Sequence, residues 1–268
     1  MKRAFVILAL GILSTGIFAQ TSKQYSLEYF DKLSVEKPFD VEIVPSDTPS
    51  VTIRVDDKYL DQVVVRQTGE MVEIGIKGTV NNIKVMEAVI CMPEIHLLKL
   101  SGCAKVKAGG GTLKVKDAEM RISGASKLTD IAFEGDKIEM EISGASKIKC
   151  KADVYDLELN VSGASDAEIS VENTNKIDAE VSGASKAKLT GGCEEFDLKV
   201  AGASSVSAEN LQAEEVEAKL SGASSAKVMP EENLKVEISG ASTLRYKDTP
   251  GLRLKVESVT GASSLKKL

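Results

Sequence analysis

The sequence predicts an all-β protein, a single-stranded parallel β-helix (β-solenoid) expected to coil right-handed with about 20 residues per coil. Three observations predict it. Ser-Gly-Ala-Ser or a close variant recurs nine times, with its glycine at Gly102, Gly124, Gly144, Gly163, Gly183, Gly202, Gly222, Gly240 and Gly261, at intervals of 18 to 22 residues. Around each glycine apolar and polar residues alternate. The position two before it is apolar in all nine copies, from Leu100 and Ile122 to Val259, and the position four before it in eight, with Glu257 the exception. A period of two marks half-buried strands rather than helices. Finally, the chain is 43% hydrophobic but only 4% aromatic, with no Trp, so its apolar material suits a thin, repetitive core built from Val, Ile, Leu, Ala and Met. A leucine-rich repeat has a similar period but needs a helical return and an Asn ladder, and neither is visible.

The elements follow in chain order. Residues 1–19 read as an export leader: Lys2 and Arg3 precede an apolar stretch over 4–13, then Ser14, Thr15 and Gly16, with Ala19 as the small residue at the cleavage site. Cleavage there removes two of the 34 basic residues and none of the 40 acidic ones, which takes the net charge from −6 to −8. No later stretch has the ~20 uninterrupted apolar residues of a membrane span. Residues 20–95 form a less regular β segment expected to cap the solenoid, with strand-like runs over 40–44, 51–55, 62–65, 71–76 and 87–92, bounded by Pro45, Pro49, Gly69, Gly78 and Pro93. Residues 96–268 are the nine-repeat array. Each unit is too short to bury its apolar face alone, and stacking buries it.

Parity predicts the corner. Even offsets from glycine are apolar on both sides, so the chain turns without reversing and the glycine is expected on the inside of the turn, where a Cβ would collide or φ > 0 is needed. The serine two after it (Ser126, Ser146, Ser165, Ser185, Ser204, Ser224, Ser242, Ser263) is expected inward, and the serine before it and the alanine after it outward.

The exposed alanines Ala125, Ala145, Ala164, Ala184, Ala203 and Ala223 form one candidate binding stripe. Beside it, five before glycine, runs a column of carboxylates: Glu119, Glu139, Glu158, Asp178, Asp197 and Glu217. On the other side Lys105, Lys127, Lys147 and Lys186 run beside Lys107, Lys149, Lys188 and Lys227. One reading is a cation-binding acidic stripe with a basic stripe for anionic glycans. The favoured reading is a solvated face whose charges keep sheets from associating.

The residues point to no catalytic, cofactor or metal site. His96 is the only histidine, expected as a partly buried ring with one hydrogen bond. The Gly-Ala-Ser units lack the second glycine of a nucleophile elbow, and nucleophiles do not come in ladders. The triple glycine at 109–111 precedes a strand, not a phosphate-holding helix. Cys91, Cys103, Cys150 and Cys193 lack a CxxC pair and are expected as four free, mostly buried thiols, despite the oxidising route. The acidic balance excludes a nucleic-acid partner, which needs a basic face.

The glycine-centred array, preceded by PFDVEIVPSD at 38–47 and VICMPEIHLLKLSG at 89–102, resembles the autotransporter-adhesin family with a head GIN domain, known from exported proteins of Bacteroides-like bacteria. The resemblance covers essentially all of the chain beyond the leader. It implies a β-helix with glycine turns, similar in shape to pectin-lyase-like proteins but without their catalytic residues, and a class of function without a ligand. The expectation is therefore an exported, non-enzymatic surface interaction or adhesion module in the periplasm, on the outer membrane or outside the cell. Its expected partner is a cell-surface protein or glycan, and its oligomeric state is open. The alternatives are a polysaccharide lyase or hydrolase, which would need aromatic sugar platforms that the repeats scarcely offer, and an envelope scaffold or sensor that binds another protein.

Overall fold

The computed structural model describes residues 8–9 and 20–268, so the leader expected over 1–19 lies outside the described residues apart from that dipeptide. The fold is a β-solenoid of about nine turns at roughly 20 residues per coil. Long strands wrap from one glycine corner to the next: Lys127–Ile142, Lys147–Val161, Lys186–Val200, Ser205–Leu220 and Ser225–Ile238. The coil between Gly163 and Gly183 is split into Asp166–Val171 and Thr174–Val181. Every coil pairs in parallel with the next, so equivalent residues stack. The column four before glycine runs Leu98, Met120, Met140, Leu159, Ala179, Leu198, Ala218, Val236. It continues to Val256, because a bulge after Val236 pairs Glu237 with Ser258 and leaves Glu257 out of the column. That bulge accounts for the one polar residue in the apolar pattern.

The inward residues are aliphatic and small, with single rings such as Phe133 and Phe196 filling particular coils. Further bends place Asp130 and Asn173 in the left-handed region, at φ 57° and 53°, a conformation that short polar side chains tolerate.

The glycine corner departs from simple parity. All nine glycines have φ between 72° and 78°, and all are exposed rather than inside the turn. The left-handed conformation turns the missing Cβ along the stacking axis, toward the neighbouring coil instead of the core. A Cβ on Gly163 would lie 2.5 Å from the Gly144 carbonyl oxygen. That oxygen accepts the amide of Ala164 at 2.8 Å, and the same bond recurs between each repeat alanine and the glycine one coil below. The ladder therefore runs unbroken through the corner. The serines two after glycine are buried from Ser126 to Ser242, and several hydroxyls reach the same glycine carbonyl, such as Ser185 Oγ to Gly163 O at 3.3 Å. The alanines are exposed, and the preceding serines are half-buried apart from the exposed Ser221, with Ser123 Oγ donating to Leu100 O at 3.3 Å.

The N-terminal region contains a coil that the glycine pattern does not reveal. Lys32–Glu36 pairs in parallel with Leu97–Ser101, and Asp40–Pro45 with Lys105–Ala108, which puts Lys37 directly beneath Gly102. Leu33, Val35 and Val41 fill the inward columns. Lys37 adopts φ 69°, where an L-residue is disfavoured by ~1–2 kcal/mol. Its ammonium donates to Ile76 O at 2.7 Å and Gly78 O at 2.9 Å, and these two bonds hold the turn. Below this coil lie Met71–Ile76 and Met86–Met92, again parallel. Antiparallel strands then extend both sheets: Ser50–Asp56 followed by Gln20–Ser26 on one, Val63–Thr68 on the other. One short 3-10 helix, Asp57–Gln62, takes in Gln62, the first residue of an expected strand. At the other end Arg253–Val259 pairs, among the described residues, with Ser225–Ile238 alone, and Leu254 and Val256 on the inward column are 41% and 47% exposed. Among the described residues no helix is long and apolar enough to cross a membrane.

The four cysteines are free, but they are less buried than expected. Cys150 and Cys193 are buried, Cys91 is half-buried, and Cys103 is exposed because it occupies the outward alanine place beside Gly102. Desolvation pushes the thiols of Cys150 and Cys193 up to about 12.

Two outcomes follow for measurement. Gly163→Val should lower the urea unfolding midpoint by an amount equivalent to ~1–3 kcal/mol or more, and Gly163→Ala nearly as much, since the first carbon already meets a backbone oxygen. Labelling with an aromatic disulfide at neutral pH should modify Cys103 first and Cys91 more slowly. Cys150 and Cys193 should react only on unfolding.

Candidate functional site

Two surfaces carry chemistry. The first is the long corner face, where stacking places the repeat alanines one above another at the ~4.8 Å strand spacing. Ala125, Ala145, Ala164, Ala184, Ala203 and Ala223 are all exposed, which makes a narrow ridge of methyl groups and backbone.

The carboxylate column beside the ridge does stack. Glu119 pairs in register with Glu139, then Glu158, Asp178, Asp197 and Glu217, and the column continues into Lys235 and Lys255. It is largely neutralised by the chain's own cations. Arg121 meets Glu119, and Lys137 lies 3.5 Å from Glu158. Lys176 bridges Asp178 at 3.6 Å and Asp197 at 3.1 Å, and Glu217 takes Lys219 at 2.7 Å and Lys235 at 3.1 Å. Hydrogen bonds from Lys219 and Lys235 hold the Glu217 carboxyl below the ordinary range, whereas partial burial raises Asp178. The column is thus a mixed ionic lattice rather than a bare acidic stripe.

The lysine face is mixed in the same way. Asp166 and Glu168 take the places of lysines in the coil after Gly163: Lys147 meets Asp166 at 2.9 Å, and Lys149 and Lys188 flank Glu168, both at 3.4 Å. At the N-terminal coil Lys105 and Lys107 sit over Asp40 and Glu42, each at 3.3 Å. Lys105, Lys127 and Lys147 stack directly, and the acids at Asp40, Glu42, Asp166 and Glu168 supply countercharge at either end of that run.

The second surface lies at the N-terminal coil, and the repeat pattern gives no hint of it. His96 precedes Leu97–Ser101, and its backbone amide donates to Asp31 O at 2.8 Å. Its ring Nδ1 lies 3.0 Å from Asp31 Oδ2. Glu94 and Tyr29 complete the group: the Tyr29 hydroxyl donates to Glu94 Oε1 and lies 3.3 Å from Asp31 Oδ2. The hydrogen bond to Glu94 is the main cause that raises the Tyr29 phenol well above its usual range, so it stays protonated as a donor. Lys32 stands beside the group, bonded to Glu70 at 2.7 Å. Sequence reading singled out His96 without its partners: Glu94, two residues away, carries no signal by itself, and Asp31 and Tyr29, more than 60 residues away, meet it through the pairing of Lys32–Glu36 with Leu97–Ser101.

The chain belongs to the family described as "Putative auto-transporter adhesin, head GIN domain", whose sequence profile matches residues 29–170 and 149–250. A structure from Parabacteroides distasonis described as a putative adhesin is similar over 94% of this chain and 98% of its own, with a TM-score of 0.72 at 17% identity. A second protein from that organism, described as a putative lipid binding protein, matches with a TM-score of 0.65 at 18% identity, covering 93% and 96% of the two chains. A putative adhesin from Parabacteroides merdae gives 0.62 at 20% identity over the same shares. At these identities the likeness establishes the fold. No curated protein matches the chain.

The lattice has a measurable pH signature. Because the folded-state pKa of Glu217 is depressed, its contribution is full at neutral pH and is lost as pH falls through the ordinary carboxylate range and below it. Glu217→Gln should therefore cost a few tenths of a kcal/mol at neutral pH in low salt, on the scale of exposed ion pairs. The difference from wild type should vanish on acidification, as read from urea midpoints across pH.

Proposed function

We propose that this member of the head GIN domain family is an exported, non-enzymatic interaction module whose corner ridge engages a protein or glycan at the cell surface. The observation that carries the reading is the ridge itself: six exposed alanines in register, one per coil, flanked by the ionic lattice on one side and the mixed lysine face on the other. Its chemistry is extended and repeated, whereas catalysis needs a convergent local site. Small residues at strand spacing admit close approach of a flat surface, and the flanking charges set register without a deep pocket.

The polysaccharide-active alternative has little to work with. Of the aromatic rings among the described residues, Tyr29 and Tyr155 are exposed, and they belong to different coils. The remaining rings are buried in the core and cannot stack on sugars. Export through the expected leader would deliver the rod to the envelope, where a scaffold role in binding another protein uses the same ridge.

The test is graded substitution. Ala145→Gln, Ala184→Gln and Ala223→Gln lie on alternate coils, so the new side chains do not crowd one another. Together they should weaken binding of the purified protein to bacterial or host cells by about tenfold, ~1.4 kcal/mol, with each single change having a smaller effect and circular dichroism unchanged. A glycan-degrading activity abolished by changing one carboxylate of the lattice would replace this reading with the enzymatic one.

A further inference from the structure

Asp31, Glu94 and His96 each offer a ligand atom, and these atoms all lie within 4.8 Å of one another. Two features make the group more than an acidic cluster. Asp31 is 5% exposed, yet its Oδ1 has no hydrogen-bond partner. A buried carboxylate oxygen without a hydrogen bond is costly, and its ion-pair partner, Lys32 Nζ at 3.8 Å, is itself bonded to Glu70. His96 Nδ1 is likewise buried without a hydrogen bond, although Asp31 Oδ2 is 3.0 Å away. Two donor atoms held this close resemble neighbouring ligands of one ion, since atoms each ~2.0–2.2 Å from a tetrahedral zinc centre lie about 3.3–3.6 Å apart.

We propose that Asp31, Glu94 and His96 form a binding site for a divalent transition-metal cation, with zinc the best match for one imidazole and two carboxylates. Tyr29 orients the carboxylates by donating to Glu94, a role that outer partners commonly play at metal sites. The backbone bond from His96 N to Asp31 O fixes the imidazole and the buried carboxylate on adjacent coils before any ion arrives. Three protein ligands leave a four-coordinate ion one position for water or for a group from a partner. The ion would also tie the chain entering at Asp31 to the crossover at residues 94–96, where the antiparallel N-terminal strands give way to the regular array.

The test uses the full chain without its leader, stripped with a chelator and titrated with zinc chloride by calorimetry, with cobalt(II) as a spectroscopic substitute. The expected result is one ion per chain, a raised thermal unfolding midpoint, and a cobalt spectrum without thiolate charge-transfer bands. His96→Gln and Asp31→Asn should each weaken binding by about tenfold or more while circular dichroism stays unchanged. Should Asp31→Asn fail to fold, His96→Gln, at a position on the rim, decides alone. The proposal is overturned by absence of stoichiometric binding, by binding that survives His96→Gln, or by thiolate bands that assign the metal to Cys103.

Discussion

The bond from each repeat alanine amide to the glycine carbonyl one coil below is the contact on which the solenoid depends. It carries the parallel ladder through the sharpest bend of the coil, where a chain would ordinarily leave several amides and carbonyls to water. The bond forms only if the carbonyl points straight up the stack and nothing stands in its way. Those conditions select a left-handed residue without a Cβ, and the same residue type then recurs in every coil because each corner is the ceiling of the one below. The buried serine hydroxyls use the second lone pair of several of these carbonyls, so the motif works as a unit: a turn, an acceptor and its two donors.

Stacking in register turns each position of the repeat into a column, and a column has to be acceptable to itself. Apolar columns satisfy this by packing, and small residues such as Ala179 and Ala218 make room for larger neighbours above and below. A charged column that repeats needs countercharge beside it. The chain sets cations from a neighbouring column beside the six stacked carboxylates and lets single lysines such as Lys176 serve two acids. The surface is therefore ordered electrostatically, with acids and cations side by side along the stack.

The two ends of the rod are treated differently. At the N-terminal end antiparallel strands and a crossover lay additional layers over the first coil, and this departure from regularity is what brings Tyr29, Asp31, Glu94 and His96 together. The regular array repeats each residue type in every coil and so cannot build a unique constellation. Distinctive chemistry concentrates where the repeat breaks down. The last strand at the opposite end leaves Leu254 and Val256 of the inner column uncovered.

The sequence by itself determined the β-solenoid, its period and which residues face inward, because nine copies of one local solution repeat the same sterics and any error in register would have shown as a polar residue inside the stack. Even Glu257, the exception to the pattern, marked a real bulge. The candidate ridge was legible for the same reason. Only the tertiary structure revealed the coil whose corner is Lys37, since there side-chain bonds to Ile76 and Gly78 carbonyls do what glycine does elsewhere. It also decided that the glycines are exposed, because a left-handed residue breaks the parity that governs extended ones. The neutralisation of the acidic column and the partners of His96 were likewise beyond the sequence. Part of each is local, as with Arg121 beside Glu119 or Glu94 beside His96, but the contacts from Lys176 to Asp197, Lys235 to Glu217 and His96 to Asp31 depend on pairings between coils, which no local spacing encodes.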